Sequence, residues 1–236
     1  MNVHLDCFPC FLRQALIALR LGTKDLNLQE RILKGTLEDI SCANIEKPTA
    51  ITTTFIHRKI RKMLGDDPFR TIKRRYNGLA LELLPSLGGL VEQGEDPLWT
   101  ASRLSIAGNV IDFGIFTSID IEGTIQRALN EPMAVDDYDM FREAVSEVEN
   151  ILFLADNAGE IVFDRLLIEV LVSRGIQVTA VVKGSPVIND ATREDAVAAG
   201  ITDICTVIDN GSDAVSTLLE WTSPELQNRF RKADYQ

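Results

Sequence analysis

Three short segments concentrate side chains that could hold a cation or an anion: Asp156-Asn157-Ala158-Gly159-Glu160, the run from Lys183 and Gly184 to Asn189 and Asp190, and Asp209-Asn210-Gly211-Ser212-Asp213. Asp156, Asn157 and Asp190 make a hard, oxygen-only set without thiolate or imidazole. Such a set suits Mg²⁺ or Mn²⁺, with Co²⁺ or Ni²⁺ as substitutes, better than zinc or copper. One Asp or Asn at a strand end is as readily a helix N-cap; the coincidence of three such turns favours a metal. Lys183 adds a cation, although alone it reads equally well as a solvated surface lysine. Gly184 adds a flexible backbone beside it, and Gly159, Gly211 and the helix starts offer backbone N–H groups to phosphate. With Asp156, Asn157 and Asp190 holding the metal, Glu160 or Asp112 is placed to orient or deprotonate water, and Lys183, Gly211, Ser212 and Asp213 to hold phosphate. Asp156 is followed by Asn157 rather than by x-Asp, which argues against an aspartyl-phosphate mechanism. Only two histidines occur, His4 and His57, so a histidine triad or imidazole-rich zinc site has only these to draw on.

The elements that must position these turns follow from periodicity. From Asp6 to about Ser102 apolar residues recur at helical spacing, as in Phe11, Leu12, Ala15, Leu16 and Leu19. Breaks fall at Gly22, Pro48, Gly65 to Pro68, Pro85 and Gly94 to Pro97. After Glu149 the pattern changes. Residues 151–155 form a short, continuously apolar run of the kind found in buried parallel strands, and it ends directly in Asp156. Helical spacing resumes through Ile161, Leu166 and Val170, stops at Arg174-Gly175, and gives way to a second strand over 177–182. A helix over 192–199 and a third strand over 204–208 complete the pattern. The expected fold is an α/β, Rossmann-like parallel-sheet α/β/α sandwich with a helical N-terminal region at 1–102 and an α/β metal-binding domain at 103–236. Ligands in such sheets bind beyond the carboxyl ends of the strands.

At 236 residues, with 45% apolar and 25% charged residues, the chain has an ordinary globular mix. Its net charge of −11 is spread along the chain and works against nucleic acid and anionic membrane as partners. One basic stretch stands out, comprising Arg58, Lys59, Arg61, Lys62, Arg70, Lys73, Arg74 and Arg75. With no leader and no long apolar span, the expected location is the cytoplasm. Cys7 and Cys10 form one C-x-x-C; a structural or redox-sensitive pair is at least as good a reading as half of a zinc site, and no catalytic role is assigned to them.

No G-x-x-x-x-G-K-[ST] loop or G-x-G-x-x-G fingerprint occurs, which counts against nucleotide kinases and classical dehydrogenases. Residues 154–164, Leu-Ala-Asp-Asn-Ala-Gly-Glu-Ile-Val-Phe-Asp, and 183–192, Lys-Gly-Ser-Pro-Val-Ile-Asn-Asp-Ala-Thr, closely resemble the two signature segments of the damage-control phosphatase family, long catalogued as domain of unknown function 89. Cys7-Phe-Pro-Cys10 and Ala107-Gly-Asn-Val-Ile-Asp-Phe-Gly114 look like its prokaryotic branch. The resemblance implies divalent-metal phosphatase activity on small phosphorylated metabolites, with metal ligands at Asp156, Asn157 and Asp190. It also implies that Asn109 and Asp112 lie against the active cleft. Family members continue past the position of Ala233-Asp234 into another strand and a Lys-Gly-x-Gly-Asn turn that contacts phosphate, whereas this sequence stops at Gln236. Weak turnover with retained metal binding is therefore expected, and an inactive metal- or phosphometabolite-binding protein is the first alternative. A methyltransferase is the second, since the family's eukaryotic members once carried that name. An exposed sheet edge would leave room for a homo-oligomer.

Overall fold

The computed structural model describes residues 2–110 and 121–233. Among the described residues seven helices come first: α1 (Cys7–Gly22), α2 (Leu26–Ser41), α3 (Thr49–Leu64), α4 (Arg70–Gln93), α5 (Pro97–Val110), α6 (Ile121–Asn130) and α7 (Tyr138–Glu147). Then β1 (Asn150–Leu154), α8 (Glu160–Ser173), β2 (Gln177–Val182), α9 (Arg193–Ala198), β3 (Thr206–Asp209) and α10 (Pro224–Lys232) alternate. The three strands form a parallel sheet in the order β1-β2-β3. The α/β architecture expected from the sequence is therefore present, with helix in large excess over strand. Asp112, singled out from the sequence, lies outside the described residues.

Local chemistry explains the element ends. Asp25 caps α2 by accepting the amides of Asn27 and Leu28, Ser223 caps α10 by accepting that of Leu226, and Pro224 occupies the first turn where its missing N–H costs nothing. Gly65, at φ 79°, ends α3 in the left-handed conformation. Thr192 and Asp195 form a reciprocal capping box that starts α9.

Three apolar clusters hold the described residues together. The first joins α1, α2 and α3 around Phe11, Leu19, Ile32, Ile56 and Ile60. The second joins α4 and α5 to α8 and one face of the sheet, around Leu98, Leu104, Ile161, Phe163 and Ile168. The boundary expected after residue 102 thus falls inside α5, a helix that packs on the sheet's own core helix. On the opposite face, Leu152 and Val181 pack against Leu226 of α10. Apolar cover on both faces is why 151–154 and 178–182 read as nearly unbroken apolar runs. Among the described residues no helix is long and apolar enough to cross a membrane.

Candidate functional site

The carboxyl ends of β1 and β2 are tied together by main chain. The amide of Ala158 donates to the Asn189 carbonyl at 2.8 Å, that of Ala191 to the Asp156 carbonyl at 2.7 Å, and Asn157 bridges Asp190 in an antiparallel pairing. Asp156, Asn157 and Asp190 are thereby brought to one place from 34 positions apart in the chain, by backbone bonds that do not depend on their side chains. Among the described residues no three Asp, Glu, His or Cys side chains gather closely enough to cage a metal ion. The set here is two carboxylates and an amide.

Asn157 donates through Nδ2 to Asp156 Oδ2 at 3.0 Å and to Glu160 Oε2 at 2.9 Å, so its protons face carboxylates and its Oδ1 is left for another partner. Glu160, in the first turn of α8, also accepts from Asn109 Nδ2 of α5 at 2.9 Å. Burial raises its pKa above the ordinary value, against the hydrogen bonds from Asn109 and Asn157. Asp190 is 6% exposed, and burial pushes its carboxyl up to about 6; Lys183 pulls the other way and the charge of Asp156 adds to the rise.

Lys183 is not the surface lysine it could have been. At 5% exposure its ammonium lies 3.2 Å from Asp190 Oδ2 and donates to the carbonyls of Ala214 and Ser216 at 3.0 and 2.9 Å. Three partners match its three protons. It orients Asp190 and anchors the segment after β3, rather than presenting a free cation to phosphate. The third turn is similarly self-satisfied. The amides of Gly211 and Ser212 donate to Asp209 Oδ1 and Asn210 Oδ1, each at 2.9 Å. Asn210 Oδ1 also accepts from Gly184. A Cβ on Gly184 would stand 2.8 Å from the Gly211 Cα, so the second and third turns touch backbone to backbone. Asp213 accepts from Arg58 Nε at 2.9 Å and from Arg61 at 2.7 Å, and these two guanidiniums hold its carboxyl below the usual range. Its role is to join α3 to the sheet edge.

Several residues that shape the site were hidden in the sequence. Asn77 of α4, 3% exposed, accepts from the Gly159 amide at 2.7 Å and donates to Asp195 at 2.9 Å. Lys73 donates to the Asp190 carbonyl and to Asp195. Arg61 also reaches the Pro186 carbonyl, and Arg58 lies over the rings of Phe55 and Trp221. The basic stretch thus spends much of its charge inward, on carboxylates and carbonyls of the α/β half. Helical spacing places Lys73 and Asn77 on one face, and that was the available signal. Their partners, 82 to 122 residues away, had none.

A model of the damage-control phosphatase ARMT1-like domain matches residues 3–235. The chain belongs to that family. A damage-control phosphatase of Archaeoglobus fulgidus is 32% identical, over 99% of this chain and 83% of its own length. An uncharacterized protein of Methanocaldococcus jannaschii is 36% identical, over 99% and 79%. The crystal structure of a DUF89 family protein from Pyrococcus horikoshii, 31% identical, superimposes with a TM-score of 0.90 over 99% of this chain and 82% of that one. This family member therefore shares its fold with a DUF89 protein of known structure, and nearly its whole length with relatives of which two are named damage-control phosphatases.

Proposed function

We propose that the chain is a divalent-metal-dependent phosphatase that hydrolyses small phosphorylated metabolites, with its metal held by Asp156, Asn157 and Asp190. The observation that carries this reading is the backbone pairing of the Asp156-Asn157 turn with the Asn189-Asp190 turn, in a chain whose relatives are named damage-control phosphatases. The donor set fits. Asp190 is buried beside the charge of Asp156, a repulsion that a cation between them would relieve, and the free oxygen of Asn157 completes a hard set suited to Mn²⁺ or Mg²⁺.

A divalent cation bound there supplies positive charge against phosphate oxygens and lowers the pKa of water. The chain's own residues do the rest. Lys183 and Lys73 hold Asp190 in place from its side chain and its carbonyl. Asn77 fixes the start of α8 through the Gly159 amide. Glu160 is the candidate to orient the attacking water and accept its proton, since burial raises its pKa towards the working range of a general base.

Binding without turnover is a second reading, favoured by one observation. The amides of Gly211 and Ser212 and the ammonium of Lys183 are already committed within the protein, so these groups bring no free donor to a phosphate. Phosphate release from a panel of sugar phosphates, measured after chelation and again with Mn²⁺ restored, tests the proposal. Release that returns with Mn²⁺ and is absent from D190A supports it. Release indifferent to chelation removes the metal from the reading; Mn²⁺ binding by calorimetry with no release from any member of the panel leaves the binding protein.

A further inference from the structure

The seam between α5 and α8 is apolar, built from Ala101, Leu104, Ile161, Phe163 and Ile168. It is also close: a Cβ on Gly108 would stand 2.8 Å from the Phe163 Cβ. One polar pair interrupts it. Ser105 Oγ donates to Asp164 Oδ1 at 2.6 Å, and Asp164 is 3% exposed. Burying a carboxyl costs free energy that an apolar pair of similar size would not, so such a pair is more economically explained by specificity than by stability.

What it specifies is visible one turn away. Four residues after Ser105 on α5 stands Asn109, and four residues before Asp164 on α8 stands Glu160; these two meet at 2.9 Å, and Glu160 in turn meets Asn157 at 2.9 Å. Two rungs, Ser105 to Asp164 and Asn109 to Glu160, therefore link the same pair of helices, the inner one ending on a buried carboxyl and the outer one opening on the candidate site. Sliding α5 by one residue along α8 would move Asn109 about 1.5 Å, enough to break the outer rung.

We propose that Asp164 is a positioning residue: its bond to Ser105 fixes the register of α5 on α8 and so places Glu160 for the proposed reaction. The inference rests on the phosphatase reading only for its kinetic consequence. Buried as it is, and with the charges of Glu160 and Asp156 nearby, the Asp164 carboxyl is pushed up to about 8, so it works as a neutral group near neutral pH. An amide can replace a neutral acid as hydrogen-bond partner, which supplies the conservative variant.

The test compares the parent protein with D164N, S105A and the apolar double variant S105A/D164L. The register itself is read from the side-chain amide resonances of Asn109 by ¹H–¹⁵N NMR, which needs no turnover. Kinetics are read as phosphate release with Mn²⁺. The double variant is expected to melt no lower than the parent, yet to shift the Asn109 resonances and lose about 10²-fold in kcat with KM little changed, the scale of a misplacement near 1 Å. D164N should keep the parent's resonances and rate. In an E160Q background the double change should cost no further activity, because the group it positions is already gone. Unchanged Asn109 resonances in both the double variant and S105A would overturn the proposal, as would a D164N protein that is folded and as impaired as the double variant. If the double variant does not fold, S105A alone decides through the same resonances. A parent protein that releases no phosphate sinks the phosphatase reading and leaves the register measurement standing.

Discussion

Asp190 and Asp213 stand in loops that follow neighbouring strands, and their surroundings treat them in opposite ways. Asp213 meets two guanidiniums, Arg58 and Arg61, which hold its carboxyl below the usual range. The Asp190 carboxylate is paired with one ammonium, that of Lys183, already shared with two carbonyls; Lys73 acts on it more weakly from its own carbonyl side, the charge of Asp156 opposes both, and burial pushes it up to about 6. One carboxylate is electrostatically satisfied by the protein and the other is left in want of positive charge. Residue type alone marks both as ligand candidates; only the partners separate a structural acid from one suited to a cation.

The largest expected effect falls on the unsatisfied member. D190A should lower Mn²⁺ affinity by more than the roughly 10–100-fold that losing a ligand's supporting partner costs, measured by calorimetry. Unchanged affinity would place the metal elsewhere and dissolve the contrast. K183M comes next. Removing a buried cation from between Asp190 and two carbonyls should cost about 3–5 kcal/mol in a urea titration, because it leaves a buried carboxylate unpaired. D213A should cost less, about 1–3 kcal/mol and towards the low end, since Arg58 remains 39% exposed and water screens its charge. The contrast sharpens if D213A leaves Mn²⁺ affinity unchanged.

The two acids also differ in the sign of their pH dependence. Asp190 has a raised pKa in the folded state, so its contribution to stability is present at low pH and is lost as pH rises through about 6. Its affinity for a cation runs the other way and should fall as pH drops through the same value, since the ligand must be deprotonated. Asp213, whose pKa is lowered, stabilises the fold above the usual carboxylate range and stops doing so as pH falls through its folded value. Melting curves of D190N and D213N against the parent across acid pH should therefore diverge in opposite directions. The smallest effect is expected far from both. Cys7 and Cys10 lie in the first turn of α1 as free thiols, so C7S/C10S should bind Mn²⁺ and release phosphate as the parent does. Complete loss of activity in a folded double variant would give the thiols a catalytic part that the hard-ligand site does not need.

Much of this architecture was legible because its causes are local. The apolar run at 151–154 reads as a buried strand since both of its faces are covered, and Arg174-Gly175 reads as a helix end since Gly175 adopts φ 86°. The meeting of the Asp156-Asn157 and Asp190 turns was legible because a parallel sheet carries such turns to one edge. For Lys183 the sequence showed the place and not the partners. Its type and place suit a phosphate contact, while its burial against Ala214, Ser216 and Asp190 depends on a segment some 30 residues further on.

By itself, then, the sequence determined which elements form, which way the sheet runs and which oxygens arrive at its edge, because periodicity, capping and strand burial act over a few residues. The tertiary structure alone decided how those oxygens are balanced. Arg58 and Arg61 reach Asp213 across 155 and 152 positions, Lys73 reaches Asp195 across 122 and Asn77 reaches Gly159 across 82. Electrostatic satisfaction depends on distance in space, and no spacing along a chain encodes which charge will stand 3 Å from which.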